Sequence, residues 1–210
     1  MTHYAPPLRD MQFLLHEVLV ATDTLRRLTH HAEIDVDTVN AVLEEGGKFA
    51  AEVIAPLNAN GDIEGCHLDT GSHEVRTPAG FKAAYAQYVA GGWPALSTDA
   101  DEGGQGLPLV LNQCIYEMLN SANQAWTMYP GLSHGAHAAL RTHGTPEQKA
   151  TYLPKLTSGE WTGTMCLTED SAAPTWACCA PAPSLWPTDP TANTGSPAPP
   201  KWLLLVQIHH

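Results

Sequence analysis

Apolar residues recur at helical spacing from Met11 to Leu28, where Phe13, Leu14, Val18, Leu19 and Leu25 form a broad stripe and Asp10 can cap its start. The spacing predicts a helix over 11–28. A second stripe from Asp35 to about Leu57 uses Val39, Val42, Leu43, Phe49, Val53 and Ile54, with Gly46-Gly47 weakening its middle and Pro56 marking its end. Thr77-Pro78 offers an N-cap followed by proline at the first helical position, FKAAYAQYVAGGW supplies the body, and Gly91-Gly92 closes it. Two more helices are expected over Leu107–Asn120 and Gly131–His143, and Thr145-Pro146-Glu147-Gln148 is a capping box opening a sixth. Only Thr162 to Thr168 alternates threonine with apolar residues, which predicts a strand. The expected core is Leu14, Val18, Val42, Phe49, Phe81, Tyr85, Leu111, Ile115 and Leu140.

The pattern stops near Glu169 or Asp170. The 40 residues from Ser171 to His210 hold 8 of the 17 prolines, 3 of the 6 tryptophans and only 2 of the 32 charged residues, Asp189 and Lys201. They follow neither period and read as irregular chain. A helical domain over 1–160, a first strand over 161–170 and a separate stretch over 171–210 follow from this break.

A net charge of -12 repels phosphate backbones and anionic lipid, so neither a nucleic acid nor a membrane surface is an expected partner. No apolar run approaches the length of a spanning helix. Five cysteines, at 66, 114, 166, 178 and 179, fit neither a disulfide framework nor paired zinc ligands, and the opening MTHYAPPLRDMQ lacks the features of a secretory signal. A cytoplasmic location is the expectation.

Candidate chemistry is sparse. His134 and His137 lie one helical turn apart with His143 beyond them, but no further ligands complete a zinc set, so these read as core or solvent histidines and no metal is expected. Gly103-Gly104-Gln105-Gly106 follows acidic DADE rather than a strand, which favours a flexible interhelical turn over a phosphate cradle. Cys166 reads as a small buried residue, since no sequence pattern pairs it with a base.

Gly159 to Glu169 (GEWTGTMCLTE) resembles the flavin-contacting segment of acyl-CoA dehydrogenases. The likeness extends through TPEQKATYLPKL, YPGLSHGA, GGQGLP, GGWPALS and YAPPLRDMQFLL, covers nearly all of residues 1 to 170, and points to the large-type branch of that family. It implies an all-α N-terminal domain followed by the start of a β-domain. It also implies an FAD enzyme that oxidises an acyl-CoA thioester to its trans-2-enoyl-CoA, passes electrons to electron-transferring flavoprotein and assembles as a homo-oligomer. By the same resemblance Met165, Leu167 and Thr168 line the flavin, and the catalytic glutamate belongs to a C-terminal bundle, so no residue here is assigned as the base. A non-enzymatic helical module that binds a partner or acyl chain is the alternative.

The resemblance also predicts P-x-x-G-(T/S)-D after Thr168-Glu169, where Asp170-Ser171-Ala172-Ala173-Pro174-Thr175 stands. Reading each codon's third base with the next codon's first two permits (C/G)-G-T-D-L-G-L-L-R-T-R-A-E-P-V-A-D-G-S-Y from Ser171 onward. Glycine is forced across Trp176/Ala177, leucine across Cys178/Cys179 and alanine across Trp186/Pro187. The string resembles the family's continuation, so a frame shift near codon 170 and an out-of-frame tail over 171–210 are expected. A fragment of this kind is expected to leave apolar faces exposed and to be poorly soluble.

Overall fold

The computed structural model describes residues 4–165 and 204–207. Those residues form a helical domain that hands over to a short β element.

The first expected helix is broken. Helix α1 (Leu8–Phe13) runs into a π turn over Leu14–Val18, and α2 (Ala21–Leu25) restarts after Val20, which takes the left-handed conformation at φ 47. For a β-branched residue that conformation costs roughly 1–2 kcal/mol. Met11 is buried in α1, and the extra residue of the π turn rotates the face that follows, so Leu15 and Thr22 are the next buried positions. Leu14 and Val18, expected in the core, are 49% and 55% exposed, beside equally open Phe13 and Leu19. Pro7 rather than Asp10 precedes α1, and Asp10 lies in its first turn without capping it. His16 fastens this arm to the next helix by donating Nε2–H to Asn40 Oδ1 (2.9 Å) while its Nδ1 accepts from the Thr22 hydroxyl (3.4 Å).

Helix α3 (Val36–Phe49) begins where the sequence places it, with Asp35 Oδ1 accepting from the Thr38 N–H at 2.7 Å. It does not weaken at Gly46-Gly47. A Cβ at Gly46 would lie 2.1 Å from Ile115 Cδ1, and one at Gly47 would lie 3.0 Å from Pro6, so the pair lets two neighbours approach the helix closely. Nor does Pro56 end it. A π turn over Ala50–Ile54 closes on the Ala55 N–H to Ala50 carbonyl bond (2.9 Å), and Pro56 then opens α4 (Pro56–Glu64), where its missing N–H does no harm.

The Gly/Asp-rich stretch that follows holds a small hairpin, β1 (His67–Leu68) against β2 (Val75–Arg76). Its turn is closed by Asp69 Oδ1, which accepts from the Gly71 and Ser72 N–H groups at 2.8 and 3.0 Å. Helix α5 (Phe81–Ala90) starts later than Thr77-Pro78 suggests, because Gly80 (φ 88) makes the turn into it.

The two helices expected over 107–120 and 131–143 are one long element, α6 (Leu109–His143). It bends at Asn123 (φ −162, ψ 91), whose Oδ1 accepts from the Trp126 N–H at 3.1 Å and so caps the second half of the same rod. Helix α7 (Pro146–Thr157) opens with the predicted capping box, Gln148 N–H to Thr145 Oγ1 at 3.3 Å and Thr145 N–H to Gln148 Oε1 at 2.9 Å. Thr145→Ala is expected to cost about 1 kcal/mol in urea unfolding, with Thr145→Ser close to neutral. Equal midpoints for wild type and the alanine variant would show the box to be idle.

The core gathers where α3, α4, α5 and α6 meet. Leu43, Ile54, Leu111, Met118 and Leu119 are fully buried, and Ile115 nearly so. Phe49, Tyr88 and Trp126 form an aromatic centre with ring centroids 5.6–6.2 Å apart. Val42, Phe81 and Tyr85 pack on its edge, and Leu140 is half-buried elsewhere on α6.

Beyond α7, β3 (Thr162–Met165) realises the start of the predicted strand; residues 166–168 lie outside the described residues. It pairs antiparallel with β4 (Leu204–Gln207), Thr162 opposite Gln207 and Met165 opposite Leu204. The apolar run around Leu204 thus forms a strand inside the stretch read as irregular. Among the described residues no helix is long and apolar enough to cross a membrane.

Candidate functional site

The site lies where β3 meets the second half of α6. The Gly163 N–H donates to Ser133 Oγ at 3.1 Å, and Tyr129 and Thr162 share a hydroxyl–hydroxyl bond of 3.0 Å. Gly163 sits so close to α6 that a Cβ there would be 2.2 Å from the Ala136 Cβ. From α5, Tyr85 donates to the Gly159 carbonyl (3.0 Å) and packs edge-on to Tyr129 at 5.2 Å, tying the turn after α7 to the same surface.

A narrow cleft opens beside this seat between Tyr85, Tyr88, Pro130, Ser133, His134 and His137. Its volume is about 20 Å³, room for a water molecule. Burial holds the Tyr85 and Tyr116 phenols well above their ordinary range, so both stay protonated. The buried Tyr116 hydroxyl has no partner among the described residues.

The three histidines are engaged separately. His134 Nε2 accepts from the Asn112 amide at 2.7 Å, and His137 Nε2 shares a hydrogen bond with the Thr157 hydroxyl at 3.2 Å, joining α6 to α7. His143 is exposed. The described residues hold no group of three or more His, Cys, Asp or Glu side chains placed to share a metal ion. Burial depresses the pKa of both His134 and His137; His134 is lowered further by His137, whereas Glu102 opposes the shift at His137.

Because these folded-state pKa values lie below the ordinary 6.5, the unfolded chain binds more protons in acid. Stability is therefore expected to be complete above about pH 6.5 and to fall as pH drops from there towards the folded-state values. Urea midpoints at pH 7.5 and 5.5 check this. The His134→Gln/His137→Gln pair is expected to lose most of the difference, and a wild-type midpoint that rises in acid contradicts it.

The GGQG segment is an interhelical turn, and backbone hydrogen bonds pin it. Gly104, Gln105, Gly106 and Leu107 donate their N–H groups to the carbonyls of Asp99, Ala95, Thr98 and Leu96 at 2.8–3.0 Å. Arg141 of α6 pairs with Asp99 and, at 3.2 Å, with Glu102, holding the loop against the helix.

Of the site residues expected from sequence, Met165 ends β3, while Leu167, Thr168 and Cys166 lie outside the described residues. The residues that seat the strand, Tyr129, Ser133, Ala136 and Gly163, were not singled out. Their signal was the small pair Ala136 and Gly163, one on each side of a close crossing.

A helical domain that ends by docking a first β-strand onto its longest helix defines a class of protein. The model of the family "Acyl-CoA dehydrogenase, N-terminal domain" matches residues 37–160. The chain belongs to the acyl-CoA dehydrogenase family. It is 44% identical over 169 residues to the 3-methylmercaptopropionyl-CoA dehydrogenase of Ruegeria pomeroyi, covering 80% of this chain and 28% of that protein. A butyryl-CoA dehydrogenase of Syntrophomonas wolfei is 32% identical over 171 residues, 81% of this chain and 28% of the relative. The isovaleryl-CoA dehydrogenase of Bos taurus is 37% identical over 144 residues, 65% of this chain and 31% of its own length. The chain thus spans little more than a quarter of the relatives it matches over most of its own length.

Flavins are three-ring systems, far larger than the water-sized cleft. The cleft beside the seat of β3 is therefore not itself a flavin pocket.

Proposed function

We propose that this chain carries the N-terminal helical portion of an FAD-dependent acyl-CoA dehydrogenase, an oxidoreductase that converts an acyl-CoA thioester to its trans-2-enoyl-CoA. The observation that carries the reading is the seat of β3 on Ser133 and Ala136 at the end of the family-matched domain. It holds β3, which ends at Met165, against α6, and Met165, Leu167 and Thr168 are the residues proposed to line the flavin. No residue of this chain is assigned proton or hydride transfer. Electron-transferring flavoprotein as acceptor, homo-oligomeric assembly and a cytoplasmic location complete the proposal.

Flavin absorbance near 450 nm tests it. A longer chain continuing in the family-like frame is expected to purify yellow and to reduce an artificial acceptor when given an acyl-CoA. A colourless, inactive longer chain overturns it. One observation favours a second reading, a helical binding module: Phe13, Leu14, Val18 and Leu19 present an open apolar face. Such a module is colourless at either length. In both readings that face is expected to drive self-association of the 210-residue chain, and a monodisperse monomer on size exclusion would contradict this.

A further inference from the structure

Two breaks coincide in this chain. The relatives align with 80–82% of it, leaving about a fifth unmatched, while the match takes up only 28% of each relative's own length and falls on the family's N-terminal domain. The 40 residues from Ser171 to His210 are the same share of the chain and are the stretch with abnormal composition. A domain boundary explains a change of composition, but not the loss of similarity to proteins that themselves continue.

We propose that one nucleotide is missing from the coding sequence between codons 171 and 173, so that residues from 173 onward translate a family-like β-domain out of frame. This rests on membership of the family and not on the flavin reading. Restoring one base ahead of codon 173 leaves Thr168-Glu169-Asp170-Ser171-Ala172 in place and permits G-T-D-L-G-L-L-R-T-R-A-E-P-V-A-D-G-S-Y through codon 191. The G-T-D triplet then begins four residues after Glu169, the spacing expected of P-x-x-G-(T/S)-D, with Asp170 in the proline's place. No shorter or longer insertion of single residues is needed.

The restored string also has ordinary chemistry. The frame is free to hold a string with five charged residues and one proline over these 19 positions, where the present frame fixes one charged residue, Asp189, and five prolines. Its tryptophans vanish, because the TGG codons of Trp176 and Trp186 are read across into glycine and alanine with no freedom of choice. A frame that no selection for folding has shaped has no reason to show either structural period, and the present frame shows none.

The geometry of the strand has a corresponding consequence. β4 lies within the shifted stretch, so its pairing with β3 belongs to the present translation only. In the encoded protein β4 is absent, while the other contacts of β3, through Gly163 and Thr162 to α6, lie upstream of the shift and persist.

Sequencing the genomic DNA across codons 160–220, together with tryptic mass spectrometry of the protein from its native source, tests the inference. The expected result is one additional base within codons 171–173, an open frame running past codon 210, and a tryptic peptide containing Ala172 followed by G-T-D-L-G-L-L-R. DNA that reproduces the present frame, with an intact native mass of 22.5 kDa, overturns it. A restored frame whose product proves colourless supports this inference while overturning the flavin reading.

Discussion

Trp126→Ala is expected to lower the melting temperature of the helical domain by roughly 6–20 °C, from a loss of about 3–5 kcal/mol. Trp126 is 3% exposed and stands at the centre of the fold, edge-on to Phe49 at 6.2 Å and to Tyr88 at 5.6 Å. Its indole N–H donates to the Phe81 carbonyl at 3.2 Å, which fixes α5 against α6. Removing the ring empties a space walled by aromatic side chains too bulky to collapse into it, and also deletes the indole hydrogen bond. Trp126→Phe keeps most of the volume and is expected to lose less than half as much. Thermal unfolding followed by far-UV circular dichroism measures both, and an alanine variant melting within 2 °C of wild type would place the core elsewhere.

What the sequence made legible was local. The capping box at Thr145 is read correctly because it is decided by residues three positions away, and the second helix starts at the expected Asp35. Continuity was not legible, because it is decided by partners distant in the chain. Gly46-Gly47 reads as a weak point until Ile115, Pro6 and Leu8 are brought against it, and Pro56 reads as a stop until a π turn delivers it to a first helical position. The same device defeats the periodic reading of the first helix. The π turn over Leu14–Val18 leaves Leu14 and Val18 off the core and buries Leu15 instead, below Met11 of the preceding helix. At the candidate site the strand was visible in its threonines. Its seat was not, since Gly163 and Ala136 are 27 positions apart and neither residue type is unusual where it stands.

That seat supports the second large effect. Gly163→Val is expected to lift β3 from α6, because the new Cβ would fall 2.2 Å from the Ala136 Cβ, an atom fixed directly to helix backbone that cannot swing aside. The strand must move, and in moving it gives up the Gly163 N–H to Ser133 bond and the Tyr129–Thr162 contact together. Overpacking of this kind costs about 1–3 kcal/mol. If confined to the strand, that cost corresponds to roughly tenfold to hundredfold faster amide exchange across residues 161–165. Hydrogen exchange read by mass spectrometry resolves the change from global unfolding, since α3 and the first half of α6 are expected to keep their protection. Gly163→Ala makes the clash milder, and adding Ala136→Gly removes the opposing methyl. The double variant is therefore expected to recover the protection of β3, less about 1 kcal/mol for a glycine inside a helix. Unchanged exchange in Gly163→Val, or a double variant no better than Gly163→Ala alone, would mean that the strand is held by something other than its close approach to Ala136.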